Sequence, residues 1–213
     1  MKLIASLLEL DRKDMQALKI KDAYALHKIV YSLFDDVRSA EEKKTGKSSG
    51  FLYAEHGGDY KSRKILLLSN RMPHPQIQGQ YGRVTSKEIQ PEFLQLNHYR
   101  FKVIVNPVIC NGATRKIIPV KGREDVARWF ADRCENWGFK VSLDHLQVDG
   151  INVQQFAAQN QSKVTIAQSP IQGVLEVTDR EKFIKSFSQG IGRGRAFGCG
   201  LLQIAPIIEN PFA

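Results

Sequence analysis

A β-type apolar run over Lys2–Leu10, an amphipathic helix over Asp22–Phe34 and two strands over Phe51–His56 and Lys64–Ser69 form one α+β pattern, and it starts again at Tyr99. Tyr99, Phe101, Val103 and Val105 alternate with Arg100 and Lys102, Asn106 and Pro107 end that strand, and Lys116–Val120 reads as a second short one. Arg123–Trp137 carries Val126, Phe130, Cys134 and Trp137 at helical spacing, and Gly138 is placed to cap it. Phe139–Val148, Val164–Ala167 and Gly173–Val177 are further strand candidates, and Asp179–Ser188 is a helix with Phe183, Ile184 and Phe187 on one side. Two such alternations of about 100 residues each indicate a duplicated α+β unit, alike in pattern and not in identity.

The connections are less regular. Asp11–Lys19 is a polar lead into the first long helix, Asp35–Gly50 reads as a mobile loop, and Gly57, Gly58 and Asp59 as a turn. Arg71–Arg83, with Pro73, Pro75, Gly79 and Gly82, has no helical period. The fourth strand and second helix of the first unit are not evident in Val84–Leu96.

Within Asp22–Phe34, Asp22 is the N-cap and Ala23, Leu26, Ile29, Val30, Leu33 and Phe34 form one apolar arc. Tyr24, His27 and Tyr31, at i, i+3 and i+7, share a stripe off that arc, and Lys28 flanks it. A phenol, an imidazole and an ammonium thus share a surface that the packing pattern does not require.

The chain carries 31 Lys and Arg against 22 Asp and Glu, a formal charge of +9 without a long basic run, which favours a polyanionic partner such as nucleic acid. The start is too short in apolar residues for a signal peptide, and no apolar span of about 18 residues exists, so a cytoplasmic protein without membrane attachment is expected. Cys110, Cys134 and Cys199 share no C-x-x-C spacing and read as reduced thiols. Histidines 27, 56, 74, 98 and 145 share no ligand spacing, so no metal site is expected.

Gly190–Leu202, GIGRGRAFGCGLL, has the most unusual composition. Gly190, Gly192, Gly194, Gly198 and Gly200 let the backbone approach another surface, and Arg193 and Arg195 supply charge. The spacing and the order helix, loop, strand exclude a dinucleotide fingerprint, and no P-loop occurs. Tight packing of the last helix and strand is the other use of such glycines, and a loop packed on one side can offer amides and arginines to a phosphate on the other.

DAYALHKIVYSLF, YRFKVIVNP, TRKIIPVKGREDVARWFADRCENWGF and GVLEVTDREKFIKSFSQGIGRGRAFGCGLLQIAP, in this order, resemble the CRISPR-associated pre-crRNA endoribonuclease of type I-E systems, the CasE subunit of Cascade. The resemblance implies two tandem ferredoxin-like (RRM-like) βαββαβ domains of an α+β class, over 1–95 and 96–213. It further implies recognition of the CRISPR repeat hairpin, metal-independent cleavage at the 3′ base of its stem to 5′-OH and 2′,3′-cyclic phosphate ends, and retention of the product within Cascade. No cofactor is implied, and the free protein is expected to be a monomer. The family's Tyr and His fall on Tyr24 and His27. One departure is Ala54, where the family tends to have a basic residue, so a contact from that strand is missing or moved.

In such a reaction one group takes the 2′-OH proton, one protonates the leaving 5′-oxygen, and a cation stabilises the phosphorane. His27 suits either proton transfer, Tyr24 is its partner or positions the phosphate, and the cation is Lys163 by position in the family or Lys28 from the residues alone. Candidates for gripping an A-form stem are Arg115 and Lys116 on the second hairpin, Arg128 and Arg133 on its helix, and Arg193 and Arg195 in the glycine loop. Two other classes are open: a catalytically silent hairpin-binding subunit, and a basic metabolic α+β enzyme whose glycine loop holds a small phosphate ligand.

Overall fold

In the computed structural model, β1 (Ile4–Asp11) is followed by a short helix α1 (Arg12–Ala17), helix α2 (Ala23–Ser32), β2 (Phe51–Gly58), β3 (Ser62–Ser69) and β4 (Arg83–Glu88). The structure describes residues 2–39, 41–42, 49–58, 61–113, 115–157 and 163–207, with the backbone alone for 156, 157 and 163. Residues 40 and 43–48 of the loop after the first long helix lie outside them.

The four strands are antiparallel in the order β2-β3-β1-β4, with Leu8 opposite both Ile65 and Val84. Both faces of this sheet are covered. Leu8, Leu10, Phe51, Tyr53, Ile65 and Leu67 pack on Leu26, Ile29, Val30, Leu33 and Phe34 from α2 and its C-terminal end. The alternate residues Leu52, Ala54, Leu66 and Leu68 turn to the opposite face and enter the core of the second half. This explains why Phe51–Ala54 and Ile65–Leu68 are continuously apolar instead of alternating. Ala54 is fully buried there, so that position offers nothing to a partner outside the chain.

The second half runs β5 (His98–Val105), a hairpin of β6 (Val108–Cys110) and β7 (Ile117–Pro119), α3 (Arg123–Cys134), β8 (Phe139–Val141), β9 (Gln147–Val148), β10 (Asn152–Ala157), β11 (Lys163–Val177), α4 (Arg180–Gln189) and β12 (Gln203–Pro206). β11 pairs with β8 and β9 on one edge and with β5 on the other, and β12 pairs with the far edge of β5. The order of first, second, third and fourth strands is therefore that of the first sheet, and the chain is two ferredoxin-like units in tandem.

Four features differ from the sequence reading. A reciprocal capping box between Asp11 and Asp14 folds part of the polar lead into α1. Between β3 and β4 the helix of a βαββαβ unit is absent, in line with the missing helical period over Arg71–Arg83: Pro73 and Pro75 cannot donate, Gly79 and Gly82 adopt positive φ, and Ile77 is buried there. The expected strand over Phe139–Val148 is broken by a 3₁₀ turn, Leu143–His145, whose His145 carbonyl lies where a Cβ of Gly173 on β11 would sit. Finally, β11 is one strand of 15 residues, and its first part orders the polar β10, which had no pattern of its own. Among the described residues no helix is long and apolar enough to cross a membrane.

Because Leu52 and Leu68 share a core with Phe101, Phe130 and Phe187, the two halves should unfold as one. Urea unfolding followed by fluorescence of Trp129 and Trp137 and by far-UV circular dichroism will give coincident transitions. Leu68→Ala, costing about 2–5 kcal/mol, will lower both midpoints equally, and two resolved transitions would show independent halves.

Candidate active site

The Asp22 carboxylate accepts the Ala25 N–H at 2.8 Å and so starts α2 where its outer stripe can form. Along that stripe the His27 ring lies 6.2 Å from Tyr24, nearly parallel at 15°, and 4.2 Å from Tyr31. The Lys28 ammonium sits over the Tyr24 ring at 4.5 Å, a cation–π contact on the solvent side. All three aromatic or imidazole rings are half-buried.

The second half completes the site. His27 Nδ1 is 2.6 Å from the backbone oxygen of Ala196, and the Tyr53 hydroxyl donates to the same oxygen at 2.8 Å. A carbonyl only accepts, so neutral His27 carries its proton on Nδ1 and keeps the lone pair on Nε2. Among the described residues no group bonds to Nε2. Burial lowers the His27 pKa, the Ala196 hydrogen bond works against that, and the Lys28 charge adds to the lowering. The imidazole is thus neutral at pH 7. Burial also pushes the Tyr53 phenol up, so it remains a donor.

Ala196 is held by a turn made for it. Arg195–Phe197 is a single 3₁₀ turn bracketed by Gly194 and Gly198, both left-handed at φ +80°, and the Gly198 α-carbon faces the Tyr53 ring. Gln168 on β11 donates to the next carbonyl, Phe197, at 2.8 Å, and Gly200 N–H bonds to Ile104 of β5 at 2.7 Å. A Cβ at Gly200 would collide with the Ile191 carbonyl. The glycines serve close packing, and through it they aim a carbonyl at His27.

The other candidates fall into distinct places. The Lys163 side chain lies outside the described residues; its backbone opens β11 opposite Ala157, and the adjacent Val164 packs in one cluster with Tyr24, Phe197 and Cys199. Arg133 lies over Trp129 at 4.6 Å and lines a groove of about 390 Å³ with Arg193, Trp137 and the hairpin residues Ile109 and Ile117. Arg115, at φ +53°, and Lys116 stand at the tip of that hairpin. Arg128 is on another face of α3, paired with Glu124 at 3.6 Å and Asp125 at 3.2 Å. Arg195 lies on the opposite side of the glycine loop from Arg193, in a cleft with Tyr31 and Arg38.

His56, His74 and His98 lie beside Gln203, Asp35 and Glu176, away from His27. Among the described residues no three His, Cys, Asp or Glu cluster as metal ligands. The three cysteines are unpaired, and burial pushes the Cys199 thiol up to about 12, which leaves it protonated and unreactive. Tyr53 and Ala196 were not candidates from the sequence. A tyrosine in a continuously apolar strand gives one signal, a hydroxyl that needs a partner when buried; a backbone carbonyl gives none.

A family model described as CRISPR associated protein matches residues 4–206. The CRISPR-associated endoribonuclease Cse3 of Thermus thermophilus is 28% identical over 129 residues, 56% of this chain and 61% of that protein, so the match spans less than two thirds of its length. A solved structure of CRISPR endoribonuclease Cse3 bound to a 19-nucleotide RNA is similar with TM-score 0.76 over 97% of this chain and 100% of that chain, at 20% identity. A chain of a CRISPR RNA-guided surveillance complex is similar with TM-score 0.66 over 96% of this chain and 100% of that chain, at 18% identity. At these identities the structural likeness is one of fold.

Two-bond ¹H–¹⁵N correlation spectra of the protein should show His27 neutral at pH 7 with its proton on Nδ1, the less common tautomer of free histidine. Its titration midpoint should fall below the ordinary value of about 6.5. A dominant Nε2–H form would contradict the Ala196 hydrogen bond as the group that holds the ring, and a midpoint above that value would contradict burial as the dominant influence on it.

Proposed function

Since this chain belongs to the family of CRISPR associated proteins, we propose that it is a metal-independent endoribonuclease that cuts CRISPR precursor RNA at the 3′ base of the repeat hairpin. It then stays on the product as a subunit of the cytoplasmic Cascade complex. The observation that carries this reading is the 2.6 Å contact of His27 Nδ1 with the Ala196 carbonyl, which commits Nδ1–H and leaves Nε2 without a partner among the described residues. That is the state of a general base.

RNA brings its own nucleophile. In the proposed reaction Nε2 of His27 takes the proton of the 2′-OH at the cut, the 2′-oxygen attacks the adjacent phosphorus, and the bond from phosphorus to the 5′-oxygen breaks. The products are a 2′,3′-cyclic phosphate and a 5′-oxygen that takes a proton from water. Tyr24, stacked beside His27, is assigned to a non-bridging phosphate oxygen through its hydroxyl. Lys163 is assigned to the phosphorane charge, supported by the packing of its neighbour Val164 with Tyr24. Lys28 is the weaker choice, because its ammonium is engaged over the Tyr24 ring.

The stem is assigned to the groove on the other side of the glycine loop. Arg133 and Arg193 line it, and Arg115 and Lys116 stand at the hairpin beside it, a set suited to backbone and shape recognition of A-form RNA. Arg128, paired within its own helix, is the least suited of the candidates.

Cleavage of a labelled repeat hairpin in excess EDTA, with end-group analysis, tests the reading. A single cut leaving a cyclic phosphate is expected. His27→Ala should lower the cleavage rate about 10²–10⁴-fold and leave hairpin affinity within a factor of about three. With a base whose pKa is lowered, the rate should rise with pH through a midpoint below about 6.5 and be level by neutrality. Tight binding without a cut would point to a silent subunit, and equal loss of binding and cleavage in His27→Ala would remove its catalytic role.

A further inference from the structure

A cleft of about 560 Å³ opens where the two halves meet, beside His27. Tyr31, Arg38 and Phe51 line it from the first half, and Arg195, Ala196 and Phe197 from the second. The cleft is continuous with the catalytic imidazole: Ala196 holds His27 through its carbonyl, and the Tyr31 and Phe197 rings lie 4.2 and 5.5 Å from the His27 ring. It also has two cations. Arg38 is held by Asp36 in a two-point pair, Nε at 3.0 Å and Nη2 at 3.2 Å, which orients its fork and offsets part of its charge, with the guanidinium 6.0 Å from the Tyr31 ring centroid. Arg195 spends one nitrogen on the Gln189 carbonyl at 2.8 Å and keeps the rest of its fork for a ligand. No acidic side chain lines the cleft among the described residues.

Paired arginines with aromatic faces are the chemistry of an unpaired nucleotide, whose phosphate takes the charge and whose base stacks. The volume is enough for one nucleotide. Arg193 faces the groove assigned to the stem, and Arg195 faces this cleft, so the glycine loop separates the two.

We propose that the cleft is a subsite for the first unpaired nucleotide on the 3′ side of the scissile phosphate, with Arg38 and Arg195 gripping the phosphate on the 3′ side of that nucleotide and Tyr31 or Phe197 stacking on its base. The inference rests on the hairpin-nuclease reading above: a cut at the 3′ base of a stem leaves paired RNA on one side of the phosphorus and single-stranded RNA on the other. Contacts on the leaving side orient the 5′-oxygen and are lost when that fragment departs, while the stem stays bound.

The test uses repeat hairpins made uncleavable by a 2′-deoxy substitution at the cut. They end either at the scissile phosphate, or after one unpaired 3′ nucleotide that carries a 3′-phosphate, or after four. For the wild-type protein the first added nucleotide should tighten binding about tenfold, and further ones should add little. An abasic first nucleotide should lose most of that gain. In Arg38→Gln and Arg195→Gln the ratio of affinities for extended and unextended hairpins should fall to near one. Equal wild-type affinity for extended and unextended hairpins, or a ratio that survives in both variants, overturns the subsite and leaves the nuclease reading standing. Failure to bind any hairpin overturns both.

Discussion

The backbone carbonyl of Ala196 is the acceptor on which the site depends. It receives Nδ1–H of His27 from α2 and the hydroxyl of Tyr53 from β2, so two donors of the first half converge on one oxygen of the second. The two histidine tautomers differ in which nitrogen can take a proton, and this contact selects one of them across 169 residues of chain. Without the second half, His27 would be an ordinary imidazole on an amphipathic helix. With it, the ring is oriented and half removed from water.

That geometry needs the two halves to be fixed to one another, and packing provides this. The first sheet is apolar on both faces, one for α2 and one for the core that contains Phe101, Phe130 and Phe187. The Arg195–Phe197 turn is then pinned from several directions, by Tyr53, by Gln168 and by the Gly200 bond to β5. Its two bracketing glycines adopt a left-handed conformation that a β-branched or bulky residue would adopt only with strain. A carbonyl with two good donors is both a stability element and a positioning element, because losing it would leave the buried Tyr53 hydroxyl unpaired.

Charge is distributed to match. Many basic residues are engaged in surface pairs, among them Arg128 with Asp125, Arg83 with Glu9 and Lys140 with Glu176, and these contribute little to stability or to a directed field. Around the glycine loop Arg133 and Arg193 lie on one side, Arg195 and the Asp36-paired Arg38 on the other, and no acidic residue lines either recess among the described residues. The net charge of +9 draws a polyanion to the whole surface, and this local asymmetry sets where it would settle.

Periodicity and capping are local properties of the chain, so the duplicated α+β pattern, the cap at Asp22, the apolar arc of α2 and the stripe of Tyr24, His27 and Tyr31 were legible from the residues alone. The chain's motifs carried the family as well. Polar or edge segments such as β4 and β10 were not readable, since they are ordered by the strands they pair with and not by a pattern of their own. Long-range packing set which nitrogen of His27 is left without a partner among the described residues, placed Arg133 and Arg193 on one groove with Arg128 elsewhere, and put Arg38 and Arg195 on one cleft. The physical reason is that a backbone carbonyl has no residue type to betray it, and that residues far apart in sequence become neighbours only when both faces of a sheet are buried at once.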